Sequence, residues 1–257
     1  FVKDVCYLGA NELKQSFEQS APVGLQKHFI NSKTIYEILP KLPEQMLKSW
    51  YDFDHYYSDD CFGEVLKIMF ENNLAEVFDI GGNTGKFERA CLAFDKNCKV
   101  NMIDLPVNIE VAKENFEKEK ADFNRLKFHS LDILLKENNL PDMKSFADAP
   151  AAVLMSQFLD CFSEKQILHI LNKVAERINE NTRVYILEPF IDNQVFAGAA
   201  YALSHISLYF TCMANGCSKM YNEADMKSII NASNLKVSRA FYNIGKYDYT
   251  LLECVKA

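Results

Sequence analysis

The distribution of apolar positions divides the chain into two regions. Between residues 1 and 70 no stretch alternates between apolar and polar residues, and apolar residues such as Val5 and Leu8 are spaced as on a helix face. Pro40 and Pro43 interrupt this region, because proline cannot continue a helix. We therefore predict a helical N-terminal segment over residues 1–70.

From residue 76 onward, apolar runs of strand length alternate with amphipathic segments. This order predicts a parallel sheet with right-handed helical crossovers. Predicted strands cover 76–80, 99–104, 126–131, 151–158 and 182–189, and predicted helices cover 84–95, 106–120 and 164–179.

The C-terminal pattern completes an α/β fold. Residues 194–214 are apolar nearly all round, which predicts a buried helix. Two strand-like runs, 235–244 and 247–255, flank a Gly-Lys turn and predict an antiparallel pair at the sheet edge. We expect residues 71–257 to form one Rossmann-like domain, mostly parallel with an antiparallel last strand.

Composition limits the class of protein. With 257 residues and 49% hydrophobic content, the chain can form one large domain, or one domain with an appendage. The net charge of −7 argues against a general nucleic-acid surface. No apolar run approaches the roughly 20 residues that a membrane span requires. The chain opens on Phe1, and we expect it to be cut from a longer protein.

The cysteines indicate the compartment. None of the eight forms a C-x-x-C pair, so we predict no zinc site and no other metal site. Several fall inside predicted strands or helices, where free cysteine behaves as a small hydrophobe. A reducing cytoplasm is the simplest explanation.

A glycine-rich loop carries most of the functional information. The run from Asp79 to Gly85 follows an apolar strand and precedes a helix, an arrangement that wraps a nucleoside-bearing cofactor. The dinucleotide pattern G-x-G-x-x-G is missing, because Asn83 and Thr84 occupy its second glycine position in the two registers. The loop therefore favours S-adenosylmethionine, which has no phosphate.

Acidic residues at the ends of three predicted strands match the needs of that cofactor. Asp79 can hold its ammonium, directly or through water. Asp104 can accept from its ribose hydroxyls, and Asp132 from its adenine amine, with Ile133 against the ring. Ligands of open α/β sheets bind at these strand ends. The alternative is an unrelated α/β domain whose acidic residues only cap helices.

The same residues resemble a known family. The glycine loop, the run Ile103-Asp104-Leu105-Pro106 and the run Tyr185 to Pro189 resemble the small-molecule O-methyltransferases of plant and bacterial secondary metabolism. The resemblance covers residues 76–257. It implies a class I methyltransferase sheet, S-adenosylmethionine as cofactor and a small-molecule acceptor. We expect the family's N-terminal winged-helix dimerisation domain to be missing from this chain, and a homodimer stays open.

The resemblance also implies a set of cofactor-binding residues. By position these are Asp79, Gly81, Asn83, Gly85, Asp104, Leu105, Asp132, Ile133 and Ser156. Asn83 stands where the family usually has glycine, and it either crowds the loop or adds a polar contact. Ser156 stands where the family usually has a lysine, which weakens that contact.

The departure that matters most is at the catalytic base. Asp160 occupies the position of the family's histidine. An unperturbed aspartate, with a pKa near 3.9, is a weak base toward a phenol, but burial raises that pKa. Asp160 acts as the base or only orients a substrate donor, and Glu188 is positioned to pair with it. His205 is a replacement base, a hydrogen-bond donor in the acceptor pocket, or a core histidine.

His55 and the reaction itself each have more than one interpretation. His55, beside two tyrosines, either covers the bound ligands or packs between the helical segment and the sheet. Transfer to a hydroxyl oxygen is the leading function. Because the histidine is missing, methylation of carbon or sulfur is an alternative, and so is cofactor binding without methylation. A non-catalytic assembly subunit is the third hypothesis.

Overall fold

The computed structural model describes residues 1–119 and 124–257. The last residue of the predicted helix 106–120 lies outside the described residues. The helices of at least six residues are α1 Leu13–Gln19, α2 Val23–His28, α3 Glu44–Ser58, α4 Phe62–Met69, α5 Lys86–Phe94, α6 Pro106–Lys118, α7 Glu164–Arg177, α8 Ala197–Tyr209 and α9 Glu223–Ala232.

One sheet of seven strands forms the centre of the fold. Its strands are β1 Glu76–Ile80, β2 Lys99–Asp104, β3 Leu126–Ser130, β4 Ala151–Ser156, β5 Arg183–Glu188, β6 Leu235–Ile244 and β7 Tyr249–Lys256. Their order is β3-β2-β1-β4-β5-β7-β6. Strands β1 to β5 are parallel, and β7 runs antiparallel between β5 and β6. The predicted fold class is confirmed.

The central strands are apolar because helices cover both faces of the sheet. Residues Ala151 to Met155 of β4 are all at most 3% exposed. The covering helices bury one stripe each, as α7 does with Ile167, Leu171 and Val174. A capping box at Ser163 starts that helix, so its beginning is encoded locally.

The strand order creates the crevice in which the functional residues lie. Strand β1 pairs with β2 on one side and with β4 on the other, because the chain passes outward from β1 to β2 and β3 and then crosses back to β4 on the opposite side of β1. Beyond the carboxyl ends of β1 and β4 the connections diverge. Open α/β sheets bind their ligands at this switch point.

The N-terminal region is helical, as predicted, and packs against the end of α8. Val5, Leu25 and Ile35 share a buried cluster with Phe210 and Met213. The Ile35 N–H donates to the Ala214 carbonyl at 2.8 Å. The helical segment therefore joins the fold through a polar backbone contact as well as through apolar packing.

The prediction of a buried helix over 194–214 is wrong for most of its length. Phe196 and Tyr201 are 71% and 68% exposed, whereas burial begins at Tyr209 and continues through Ala214. The helix lies over a cavity, and only its inner side, with Leu203 and Ile206, faces that cavity. The apolar pattern is real, but the described elements cover one side of the helix only.

Strands β1, β2 and β6 have the predicted bounds, and the other strands differ from prediction by one or two residues at one or both ends. Strand β4 ends at Ser156 rather than at residue 158, because Gln157 adopts a φ of 46°, which turns the chain out of the sheet. No helix in the described part of the chain is long and apolar enough to cross a membrane.

Two glycines allow close packing in the N-terminal region, and this can be tested. A β-carbon at Gly24 would lie 2.5 Å from the Gly9 Cα, so Gly24→Ala should lower the free energy of unfolding by about 1–3 kcal/mol. Gly63, in α4, has nothing within 4 Å of the same position. Gly63→Ala should therefore stabilise by ~0.5–1 kcal/mol. Denaturant unfolding measures the change in the free energy of unfolding for both variants. Equal changes would contradict the close contact between Gly24 and Gly9.

Candidate functional site

A cavity of about 220 Å³ lies at the carboxyl ends of β1, β2 and β4. It brings together eight of the nine predicted cofactor residues: Asp79, Gly81, Asn83, Asp104, Leu105, Asp132, Ile133 and Ser156. The ninth, Gly85, lies outside the lining and caps α5 with a φ of 83°.

The glycine loop begins at a position that only glycine can occupy. Gly81 has a φ of 91°, and an added β-carbon would lie 2.3 Å from Cδ2 of Phe158. A side chain there would be strained and would clash with the ring. The loop therefore passes close to the segment that follows β4.

Asn83 adds polar contacts to the loop. Its backbone N–H donates to Oδ2 of Asp104 at 2.8 Å, and its Nδ2 donates to Oδ2 of Asp54, also at 2.8 Å. Its φ of 53° is left-handed, a conformation that asparagine tolerates. Its Oδ1 is buried without a hydrogen-bond partner in the described structure.

Asp104 is partly occupied by the loop that it supports. Its Oδ1 accepts from the Leu105 N–H at 2.6 Å and from Nδ2 of Asn108 at 2.9 Å, while Oδ2 accepts from Asn83. Burial raises the pKa of Asp104 to about 6. A carboxylate offers about four acceptor positions, so Oδ2 retains capacity for one more donor.

The far wall of the cavity is held by a lysine. Asp132 caps its own turn by accepting from the Leu134 N–H at 2.9 Å. Lys173 donates to the carbonyls of Ile133 and Leu135 at 2.9 and 2.8 Å. Asp132 and Asp104 therefore both accept hydrogen bonds from nearby backbone N–H groups, as the alternative interpretation of capping residues predicted. Both residues also line the cavity.

Two buried carboxyl groups lie beneath the loop. Asp79 is 2% exposed and Glu88 is fully buried. Burial raises the pKa of Asp79 to about 7. Burial, and then the charge of Asp79, raise the pKa of Glu88 well above its usual value. A cationic ligand group beside Asp79 would stabilise the ionised pair.

A second cavity, of about 300 Å³, adjoins the first. Tyr36, Trp50, Asp54, Gln157 and Cys161 line both. The remaining wall of the second cavity comes from α3, α8 and the start of β7, and most of its side chains are aromatic or aliphatic. The two cavities can therefore hold two ligands with their reacting ends in contact.

Asp160 faces the second cavity from the turn after β4. It is 7% exposed, and its Oδ1 has no hydrogen-bond partner among the residues described. Burial raises its pKa to about 7; hydrogen bonds from Cys161 oppose the rise, and the charge of Asp54 adds to it. A buried carboxyl of this pKa can take a proton near neutral pH.

Glu188 supports the turn that carries Asp160. Its Oε1 accepts from the N–H groups of Phe158 and Leu159 at 3.1 and 2.8 Å. Burial, and then the charge of Asp160, raise the pKa of Glu188 well above its usual value. Glu188 lines neither of the two cavities, so it acts on the site through the turn.

His205 is not brought together with the other predicted residues. It is exposed, its Nδ1 lies 2.8 Å from the Tyr201 carbonyl, and its ring contacts the Tyr201 ring at an interplanar angle of 38°. It lines neither cavity.

His55 both packs α3 against the sheet and covers the first cavity. Its Nε2 is hydrogen-bonded to Oγ1 of Thr84 at 3.0 Å, and its Nδ1 to Oδ1 of Asp59 at 3.2 Å. Lys86, which follows the loop, donates to the same Asp59 at 2.6 Å. These bonds hold α3 over the glycine loop.

Sequence reasoning missed Asp54, the polar residue of α3 that lines both cavities. A signal was present in the aromatic and acidic run from residue 50 to residue 59. Trp50, Asp54 and Ser58 are spaced by four and share one helix face, and all three line the first cavity. Tyr36 and Gln157 had no comparable signal.

Comparison with known proteins agrees with this geometry. Residues 45–233 match the model of the O-methyltransferase domain. Acetylserotonin O-methyltransferase of Gallus gallus is 24% identical over 63% of this chain and 43% of its own length. The chain spans less than half the length of the curated relatives it matches.

Solved structures share the fold. The mitomycin 7-O-methyltransferase MmcR matches 98% of this chain and 68% of its own with a TM-score of 0.78 at 17% identity. NcsB1, solved with S-adenosylmethionine and 2-hydroxy-5-methyl naphthoic acid, matches 98% of this chain and 69% of its own with a TM-score of 0.74 at 18% identity. Because the family model covers most of the chain, the protein belongs to the O-methyltransferase domain family.

Proposed function

We propose that this chain transfers the methyl group of S-adenosylmethionine to a hydroxyl oxygen of a small-molecule acceptor. The observation that carries the proposal is the shared wall between a polar cavity at the switch point of the sheet and an aromatic cavity beside it. When bound, S-adenosylmethionine supplies an electrophilic methyl group.

The first cavity fits that cofactor by its acceptors. The ligand carries an ammonium, two ribose hydroxyls and an adenine amine, all of them donors. Asp79 would hold the ammonium, the remaining position on Asp104 Oδ2 a ribose hydroxyl, and Asp132 the adenine amine. The buried Oδ1 atoms of Asn83 and Asn108 have no partner within the described residues, and they offer two further acceptors.

Asp160 is the proposed general base. A proton leaving the acceptor hydroxyl would pass to its unpartnered Oδ1, and its pKa of about 7 suits proton transfer at neutral pH. Glu188 would keep the turn in place through its two backbone hydrogen bonds.

Helix α3 and the aromatic side chains of the second cavity are proposed to keep water away from the reacting ends of the two ligands. They would also hold the acceptor oxygen in line with the methyl group. Alignment of this kind contributes a large part of such rate enhancements.

The proposed setting is the reducing cytoplasm. All eight cysteines are free thiols, as expected in that compartment. A small-molecule acceptor is the proposed partner, and a homodimer stays an expectation of the family resemblance.

Calorimetric titration tests the cofactor. We expect S-adenosylmethionine and S-adenosylhomocysteine to bind and NAD not to bind. Because an ammonium needs ionised Asp79, whose pKa is about 7 without ligand, affinity should fall about tenfold from pH 8 to pH 6. Asp79→Asn should remove this dependence.

Methylthioadenosine, which has the same nucleoside but no ammonium, is the matched ligand for that titration. Its affinity should change less over the same pH range. Binding of NAD without either sulfonium or thioether compound would contradict the proposed function.

Turnover of hydroxyarenes at saturating S-adenosylmethionine tests the base. Asp160→Asn should lower kcat/KM for the acceptor roughly 10²–10⁴-fold. In the native chain kcat/KM should rise as Asp160 ionises through pH 7, and this rise should be lost in the variant. Asp148→Asn, on an exposed loop, is the control. Unchanged turnover in Asp160→Asn would remove Asp160 from the mechanism.

A further inference from the structure

The second cavity has an unusual combination of walls and charges. Trp50, Phe53, Tyr209 and Tyr249 are among its lining residues, and such flat side chains pack well against a flat ring. This surface selects for shape, but it does not by itself select among aromatic molecules.

The charged groups of the cavity are mostly acidic. Asp54, Asp160 and Asp248 line it, and Lys246 is the one basic side chain among the described lining residues. Lys246 is exposed, and its Nζ lies 5.2 Å from the centre of the Tyr247 ring. Among the side chains described, the buried part of the cavity therefore offers carboxyl groups and no guanidinium or ammonium group.

The unpaired polar atoms lie in the same place. Oδ1 of Asp160 and the hydroxyl of Tyr36 are buried without partners in the described part of the chain, and both residues line the cavity. Asp54 reaches the cavity from α3, opposite the turn that carries Asp160. The two carboxyl groups are close enough for the charge of Asp54 to act on Asp160.

We propose that the acceptor is a flat aromatic molecule without a negative charge, which donates one hydrogen bond to Asp160 and a second to Asp54. The methylated hydroxyl is the donor to Asp160, and the second donor is a hydroxyl or amino group. Asp54 is thereby a specificity-determining residue. The inference rests on the proposed methyl transfer, because that proposal assigns this cavity to the acceptor.

Electrostatics supply the reason for excluding acids. A carboxylated acceptor would place its charge beside the carboxyl groups of Asp54 and Asp160, and like charges at close range are strongly disfavoured. Sites that select a carboxylate typically offer a bidentate arginine, and the described lining residues include none.

Three naphthalenes that share the ring and one hydroxyl and differ in the neighbouring group form the test: 2,3-dihydroxynaphthalene, 3-amino-2-naphthol and 3-hydroxy-2-naphthoate. Their binding to the protein with S-adenosylhomocysteine and their methylation are both measured. We expect the first two to exceed the naphthoate about tenfold or more in affinity and in kcat/KM. Tighter binding of the naphthoate, or binding of none of the three, would overturn the inference.

Two variants assign the preference to Asp54. Asp54→Asn removes the charge and keeps an oxygen that can accept from Nδ2 of Asn83. It should therefore reduce the difference in affinity and in kcat/KM between the dihydroxy compound and the naphthoate. Asp52→Asn, on the exposed side of the same helix, should leave the difference unchanged. An unchanged difference in Asp54→Asn would remove Asp54 from acceptor selection.

The affinity for S-adenosylhomocysteine separates this inference from the proposed function. If the native chain does not bind S-adenosylhomocysteine, the cofactor assignment is contradicted. Normal binding with a preference for the naphthoate would overturn only the acceptor class.

Discussion

The hydrogen bonds between α3 and the glycine loop are the contacts on which the site depends. Asn83 joins Asp54 at 2.8 Å, and Thr84 joins His55 at 3.0 Å. The loop belongs to the sheet and α3 belongs to the N-terminal region, so these two bonds set the position of one cavity relative to the other. A transfer between two bound molecules tolerates little error in that position.

Buried acidity is the second constraint. Asp54, Asp79, Glu88, Asp160 and Glu188 all have pKa values raised by burial. Burying carboxyl groups without cationic partners costs folding free energy, and perturbed groups of this kind gather at functional sites. A donor-bearing ring in the second cavity would give the unpartnered Oδ1 of Asp160 a hydrogen bond, and a cationic amino acid in the first cavity would stabilise ionised Asp79.

Much of the fold was predictable because its signals are local. Strands β1, β2, β4 and β5 are apolar runs of strand length, and the apolar stripe of α7 has helical spacing. The glycines at 81 and 85 adopt positive φ, and Asp79, Asp104 and Asp132 lie within two residues of the carboxyl ends of their strands. Since parallel strands place their carboxyl ends at one edge, their convergence followed from the strand assignment.

What the sequence by itself determined was the sheet, the glycine loop and the acidic residues at strand ends, because each depends on neighbours in the chain. Only the tertiary structure decided which side of α8 is covered, how Asn83 is used, and that Asp54 reaches both cavities. Asp54 and Asn83 are 29 positions apart, and no local period records a contact of that range. Burial of Asp160, and with it a pKa near 7, likewise arises from distant elements that close around one turn.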